Sequence, residues 1–363
     1  MTQKTILVLA NNDVGLYKFR KMLLERFLSD GYRVVIALPG GEYIPLLTAL
    51  GCEFVETPME RRGMNPAKDI SLYQLYRSII RDVKPDLVVT YTVKPNVYGG
   101  MACRTMKVPY AVNITGLGTA IEQGGALCTL VVNMYREALR KAKVVFFENA
   151  GNRDRLVEFG AVKKEKTHVL SGAGIDVDAF PLTPYPADGT VRFLYVGRVM
   201  REKGMDELLL AVERLKEKYG DGVELEMIGY LEEAYEDRLK ALQNRGVIRF
   251  LGFQDYVPVF YRRAHCVVLP SYHEGMSNVL LEAGAMGRPL ITSDIHGCME
   301  ALVEGKSGYL CNVRDADSLY DAMARFVELP YEEKVEMGSA SHDYVVAMFD
   351  KKHVVEETVR QLY

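Results

Sequence analysis

Short β-branched runs alternate with longer amphipathic stretches along almost all of this 363-residue chain, and that rhythm restricts its fold more than any single motif. Parallel strands can be joined only by crossovers of a dozen or more residues, normally helices, so the alternation predicts a parallel sheet with helices on both faces. The first series places strands at 5–10, 33–38, 53–56, 86–91, 110–115, 144–147 and 167–170. Helices are expected between them over 16–29, 42–50, 69–83, 96–106, 126–142 and 151–159. A Pro-rich segment, Phe180-Pro-Leu-Thr-Pro-Tyr-Pro-Ala-Asp-Gly189, then breaks the pattern and reads as an interdomain linker. The rhythm restarts with strands at 191–196, 223–228, 248–251, 266–270, 290–292 and 309–311, and with helices that include 205–218 and 233–244. A chain of this length exceeds what one core supports. The expected fold class is α/β, with two doubly wound Rossmann-like domains over 1–180 and 190–345 facing across a cleft. A C-terminal helix over 346–363 is expected to pack back on the first domain.

Composition excludes several function classes. Six cysteines at 52, 103, 128, 266, 298 and 311 form no Cys-x-x-Cys pair and read as buried thiols, and six dispersed histidines build no ligand cluster. No protein-held metal and no cofactor are therefore expected. The opening Met1-Thr-Gln-Lys-Thr5 runs straight into the first strand, leaving no room for a leader's apolar stretch. No apolar run approaches the roughly 18 residues that span a bilayer. A cytoplasmic location follows, with peripheral attachment to the inner face of the membrane left open.

Charge is unevenly divided. Residues 1–180 hold 24 Lys and Arg against 18 Asp and Glu, whereas the remainder holds 21 against 30. The basic half suits an anionic partner, either phospholipid headgroups or a diphosphate-linked substrate, although solvated helix faces produce the same count. Tyr17-Lys-Phe-Arg-Lys21, Arg61-Arg62 and Tyr73-Gln-Leu-Tyr-Arg77 are the segments that would rest on such a surface. Dispersed basic residues and an acidic total speak against nucleic acid.

The chemistry concentrates in the second half. Glu274-Gly-Met-Ser-Asn-Val-Leu-Leu-Glu282 follows a buried-strand run and opens an apolar helix, so its two acids belong to a strand–turn–helix corner. Open α/β sheets bind ligands at such corners. Ser277 is a good N-cap, and the first amides of the helix suit an anion or a sugar oxygen. Glu282, inside the helix, suits a diol, and Glu274, in the turn, suits a sugar hydroxyl. An elongated nucleotide sugar satisfies both. Gly197-Arg198 at the end of one strand and Lys203-Gly204 before the next helix add two cations able to neutralise a diphosphate leaving group. Gly116-Leu-Gly118 with Gly124-Gly125 lacks dinucleotide-binding spacing and reads as a cleft loop.

In combination these motifs resemble glycosyltransferase family 4, the retaining group with the GT-B fold. Glu274 and Glu282 meet its pattern of two acids with seven residues between them, Gly275 to Val279 match its glycine and helix-opening positions, and Gly197-Arg198 and Lys203-Gly204 match its Gly-Arg and Lys-Gly. Gly174-Ile-Asp176 with Phe180 matches the entry to its second domain. The resemblance implies that Arg198 and Lys203 hold the donor diphosphate and that Gly15 lets the first domain's backbone approach it. It implies further that Glu274, Gly275, Met276, Ser277, Asn278 and Val279 surround the transferred sugar. Glu282 would then accept the ribose hydroxyls, and Gly252-Phe253 would frame the base.

Thr92-Val-Lys-Pro-Asn-Val-Tyr-Gly-Gly100, Asn113-Ile-Thr-Gly-Leu-Gly118 and Asp294-Ile-His-Gly-Cys-Met-Glu300 look like bacterial enzymes that extend undecaprenyl-diphosphate-linked sugars, often from UDP-N-acetylhexosamines. Many members carry a histidine beside the acceptor, where this chain has Val93-Lys94. Lys94, Thr115, Gly116 and Gly118 are therefore the acceptor candidates. The expected activity is retaining, metal-independent transfer of a sugar from a UDP-sugar to a free or lipid-linked glycan. Two alternatives stay open, a UDP-N-acetylglucosamine 2-epimerase and a two-domain sugar-binding protein without chemistry.

Overall fold

The computed structural model describes residues 3–59, 65–118, 121 and 124–363, and within them the chain divides into two compact units. The first comprises residues 1–173 with Lys351–Tyr363, and the second comprises Gly174–Asp350.

In the first unit, strands β1 (Thr5–Leu9), β2 (Arg33–Leu38), β3 (Glu53–Glu56), β4 (Leu87–Tyr91), β5 (Tyr110–Ile114), β6 (Val144–Phe147) and β7 (Thr167–Val169) form a parallel sheet ordered β3-β2-β1-β4-β5-β6-β7. The inner strands β1, β4, β5 and β6 are buried along their whole length, as an apolar strand covered by helices on both faces must be. Leu7, Val88, Val112 and Val145 feed one core layer, and Ile6, Val89, Ala111 and Phe146 feed the layer on the opposite face. Strand order reverses between β1 and β4. The loops after these two strands therefore flank the crevice where such a sheet takes its ligand.

The second unit repeats the plan with β8 (Val191–Val196), β9 (Val223–Ile228), β10 (Ile248–Phe250), β11 (Cys266–Leu269), β12 (Leu290–Ser293) and β13 (Gly308–Cys311). Its parallel order is β10-β9-β8-β11-β12-β13, with the reversal between β8 and β11. Both candidate motifs of the second half lie on the loops after those two strands.

Two boundaries differ from the sequence reading. The Pro-rich stretch is fastened to the second unit instead of hanging as a linker. Buried Arg288 donates to the Thr183 and Pro184 carbonyls at 2.9 Å, Tyr185 donates to the His265 carbonyl at 2.7 Å, and His265 Nε2 lies 3.1 Å from the Ala187 carbonyl. Prolines remove backbone donors but leave carbonyls, and those carbonyls are what the strap offers to its partners. At the other end, the helix Tyr331–Phe349 stops at Asp350, and a separate helix, Lys351–Leu362, belongs to the first unit. It is held there by Glu356 on Arg26, by Glu357 at 2.9 Å from His168 Nε2, and by Lys143 donating to the Leu362 carbonyl at 2.7 Å. All six cysteines are buried. Among the described residues no helix is long and apolar enough to cross a membrane.

Candidate functional site

The second unit's loops line up along the carboxyl edge of its sheet in the order of the strands below them. Gly252 and Phe253 follow β10, Gly229 and Tyr230 follow β9, Gly197 and Arg198 follow β8, and Ser271 to Ser277 follow β11. Backbone bonds stitch the row together. Gly229 N donates to the Gly252 carbonyl at 2.9 Å, Gly197 N donates to the Ile228 carbonyl at 3.0 Å, and Val199 N donates to the Tyr230 carbonyl at 2.7 Å. Gly229 has φ +146°, and a Cβ there would sit 1.7 Å from the Gly197 carbonyl oxygen, so only glycine lets these loops touch. Four neighbouring strands span about 14 Å at the usual interstrand spacing, which suits an elongated ligand better than a single sugar ring.

Lys203 and Glu274 meet at the point where strand order reverses. The Lys203 ammonium is ion-paired with Glu274 Oε1, and both side chains are largely buried. Ser271 donates to the same carboxylate oxygen at 2.8 Å, so two donors hold Glu274 in one orientation. Gly204, with φ +70°, brings the two loops this close, since a Cβ there would lie 2.0 Å from the Pro270 carbonyl oxygen. Tyr272 N, donating to the Glu202 carbonyl at 2.9 Å, adds a second tie between them. Arg198 is more exposed and lies 3.7 Å from Glu232. Beneath it, buried Tyr195 donates to the Arg198 carbonyl at 2.6 Å. Burial, aided by the charge of Glu274, pushes that phenol far above its usual range and keeps it a donor.

Glu282 stands on the helix Asn278–Ala285 with a different partner. Tyr261, from the helix Pro258–Arg263, donates to Glu282 Oε2 at 2.8 Å. Burial first, and the neighbouring carboxylate second, raise the Tyr261 phenol well above its ordinary value. Ser277 caps the helix, as its spacing predicts, by accepting from Leu280 N. Its own amide donates to the Gly297 carbonyl at 2.9 Å, so that N–H is committed within the protein and not offered to a ligand. The Met276 side chain is packed in the core, which leaves only its backbone to face a ligand. Asn278 and Val279 are half-buried in the first turn. Phe253 is exposed and stacks on Tyr230 with ring centroids 4.1 Å apart, forming a flat aromatic surface next to Gly252.

The first unit receives the remaining candidates. Gly15 lies just inside the helix Asp13–Ser29 that follows β1, and its amide donates to Asn12 Oδ1 at 2.6 Å. A Cβ on Gly15 would approach that oxygen to 2.8 Å, so the glycine serves the helix cap, and its amide is not free for a diphosphate. Lys94 follows β4 and is no surface lysine, for its ammonium lies 3.0 Å from the buried carboxylate of Asp69. Thr115, Gly116 and Gly118 follow β5, beside β4 in the sheet. Thr92, between β4 and Lys94, holds the left-handed φ of +71° that a β-branched residue rarely adopts. Of the three basic segments, Arg61-Arg62 lies outside the described residues.

Sequence reasoning passed over Ser271, Tyr195, Glu232, Tyr261 and Tyr230. Ser271 was open to notice, three residues before Glu274 at the end of a strand run. The others lie 21 to 34 residues from the side chains or backbone groups they serve, or come from the strand beneath, and no spacing marks them.

Comparison with known proteins identifies the family. Residues 185–343 match the family model for glycosyl transferases group 1, and residues 15–199 match that for a glycosyl transferase 4-like domain. Over 98% of its length the chain is 23% identical to 97% of a Campylobacter jejuni N,N'-diacetylbacillosaminyl-diphospho-undecaprenol alpha-1,3-N-acetylgalactosaminyltransferase. It is 25% identical to the Staphylococcus aureus capsular polysaccharide biosynthesis glycosyltransferase CapM, covering 78% of this chain and 80% of that one. The crystal structure of Anabaena HepE in complex with UDP and glucose superposes with a TM-score of 0.79 at 17% identity, covering 99% of both chains. The chain belongs to glycosyltransferase family 4 and has the GT-B fold of two Rossmann-like domains.

Proposed function

We propose that this glycosyltransferase moves an N-acetylhexosamine from a UDP-sugar to a glycan carried on a polyprenyl diphosphate, retaining the anomeric configuration and using no protein-held metal. The observation that carries the reading is the Lys203–Glu274 ion pair, with Arg198 on the same loop as Lys203, at the strand-order reversal of the second unit. Support for the partners comes from the C. jejuni relative, whose name specifies an undecaprenyl-diphosphate-linked acceptor, and from the HepE complex with UDP and glucose.

In this reading the base lies by Phe253 and Tyr230, the ribose hydroxyls reach Glu282, and the diphosphate lies against Arg198 and Lys203. The cations work on the leaving group. As the bond from the anomeric carbon to the phosphate oxygen breaks, charge develops on the diphosphate, and fixed cations in a partly dry site stabilise it more than water does. Glu274 accepts from a hydroxyl of the transferred sugar, and Ser271 and Lys203 prevent its carboxylate from turning away. The acceptor hydroxyl then bonds to the anomeric carbon on the face just vacated, and its proton passes to the departing phosphate oxygen.

The test is to incubate the protein with a panel of UDP-sugars and polyprenyl-diphosphate-linked glycans, following UDP release, product mass and anomeric configuration. Transfer of one N-acetylhexosamine with retention is expected. Formation of a new UDP-sugar without acceptor would assign an epimerase instead, and binding without turnover would assign a sugar-binding protein.

A further inference from the structure

A cavity of about 400 Å³ opens on the first unit, well separated in the chain from the donor motifs. It lies among the helices Pro66–Val83, Gly100–Met106 and Gly125–Leu139. Its volume is that of an ordinary ligand cleft. The walls are mainly apolar, with Ile70 and Tyr73 one helical turn apart on one side, Leu130 and Met134 one turn apart on the other, and Met101 between the helices. Ile70 is 62% exposed and Leu130 49%, and Leu127, one turn before Leu130, is 45% exposed. Two large aliphatic side chains left in water around one opening, with a third exposed one turn from Leu130 along the same helix, form an apolar patch of the kind that marks binding sites.

Polar groups interrupt the lining at two places: Arg104, paired with Glu137, and Thr105, which accepts from the Tyr73 hydroxyl at 3.1 Å, lie on the helix Gly100–Met106, and a second group lies nearer the sheet. In that second group Asp69 and Tyr98 both line the cavity, and Asp69 is the partner of Lys94, on the segment that follows β4 at the strand-order reversal. Burial first, and Asp69 second, raise the Tyr98 phenol, which therefore stays protonated as a donor. The cavity thus joins a Lys–Asp–Tyr cluster at the ligand edge of the sheet to apolar side chains between the helices. An occupant complementary to both is an amphiphile whose polar head lies at the sheet edge and whose hydrocarbon chain lies between the helices.

We propose that this cavity binds the first isoprene units of the acceptor's polyprenyl chain, so that the enzyme recognises the lipid as well as the glycan. The proposal rests on the lipid-linked acceptor reading given above. It assigns Ile70, Leu130 and Met134 as tail-binding residues and the Lys94–Asp69–Tyr98 cluster as the boundary between tail and diphosphate.

The experiment titrates the full chain with farnesyl diphosphate and, as a tail-less control, inorganic pyrophosphate, using wild type, Ile70→Asp and Leu130→Asp. Both substituted positions are exposed, so the variants should keep the wild-type melting temperature and affinity for UDP. Farnesyl diphosphate should bind wild type at least roughly tenfold more tightly than pyrophosphate, the scale of burying one or two aliphatic groups, and each variant should lose that preference. Equal binding of the two ligands, or a preference that survives both substitutions, would overturn the assignment. So would loss of binding to phosphatidylglycerol vesicles in variants that still prefer farnesyl diphosphate, which would give this face to a membrane. Transfer to a glycan on a polyprenyl diphosphate at the same rate as to the same glycan diphosphate lacking any isoprene unit would sink the tail site and leave the proposed function standing. Tail-dependent binding without transfer to any lipid-diphosphate glycan would sink the proposed function and leave the tail site standing.

Discussion

Lys203 and Glu274 are 71 residues apart in sequence, yet the ammonium of one closes on the carboxylate of the other at the strand-order reversal of the second unit. The loop after β8 supplies the cation and the loop after β11 supplies the acid, because those two strands are neighbours in the sheet although β9 and β10 come between them in the chain. Each charge fixes the other. Under the proposed function, a sugar diphosphate entering there would meet a cation and an acceptor already oriented, which is the preorganisation that stabilises charge developing in a transition state.

Gly204→Ala should disable this arrangement, while the same substitution at Gly246 should not. Both residues have a left-handed φ, +70° and +69°, so both variants carry the left-handed cost of about 1–2 kcal/mol. Only at Gly204 does the new Cβ also strike the Pro270 carbonyl, whereas at Gly246 it meets open space. Urea unfolding should therefore rank Gly204→Ala as clearly the less stable, and transfer should fall sharply in that variant alone.

Tyr261→Phe should weaken donor binding without slowing the chemical step. It removes the hydroxyl that donates to Glu282 and leaves a ring of the same shape in a fully buried position. The loss of one such bond, about 1 kcal/mol, corresponds to a severalfold rise in KM for the UDP-sugar with kcat unchanged. Steady-state kinetics at saturating acceptor measure both.

Acid should loosen the second unit through His265. Its Nδ1 accepts from Arg192 N at 3.1 Å and its Nε2 serves the Ala187 carbonyl, so the ring is held neutral, and burial lowers its pKa. As pH falls through the unfolded value of roughly 6.5, the unfolded chain takes up a proton that the folded one resists, so stability declines until the folded value is passed. Denaturant melts across this window should show that decline in the wild type and a shallower one in His265→Gln. His273 is also lowered by desolvation and acts in the same direction, so His273→Gln serves as the control that separates the two.

The strand–helix rhythm made both sheets legible because a strand buried on both faces is nearly continuously apolar, as at Cys266–Leu269 and, but for Thr90, at Leu87–Tyr91. The acid and base motifs were legible for a related reason, since each spans one strand–loop–helix corner and needs only local spacing. Long-range partners were not. Nothing near Tyr261 points to Glu282, and nothing in the Pro-rich stretch announces that Arg288, a hundred residues later, will tie it to the second unit. Gly15 carries a family role in the sequence, and its amide's bond to the Asn12 cap is a contact that no pattern of glycines specifies.

The most direct trial is a double-mutant cycle on Lys203→Ala and Glu274→Ala, with kcat/KM for transfer from the preferred UDP-sugar as the readout. Each single variant should lose on the order of 10²–10³ in kcat/KM. The double variant should lose far less than the product of the two, because the pair acts as one unit. Single variants that transfer at the wild-type rate, or losses that simply multiply, would contradict it.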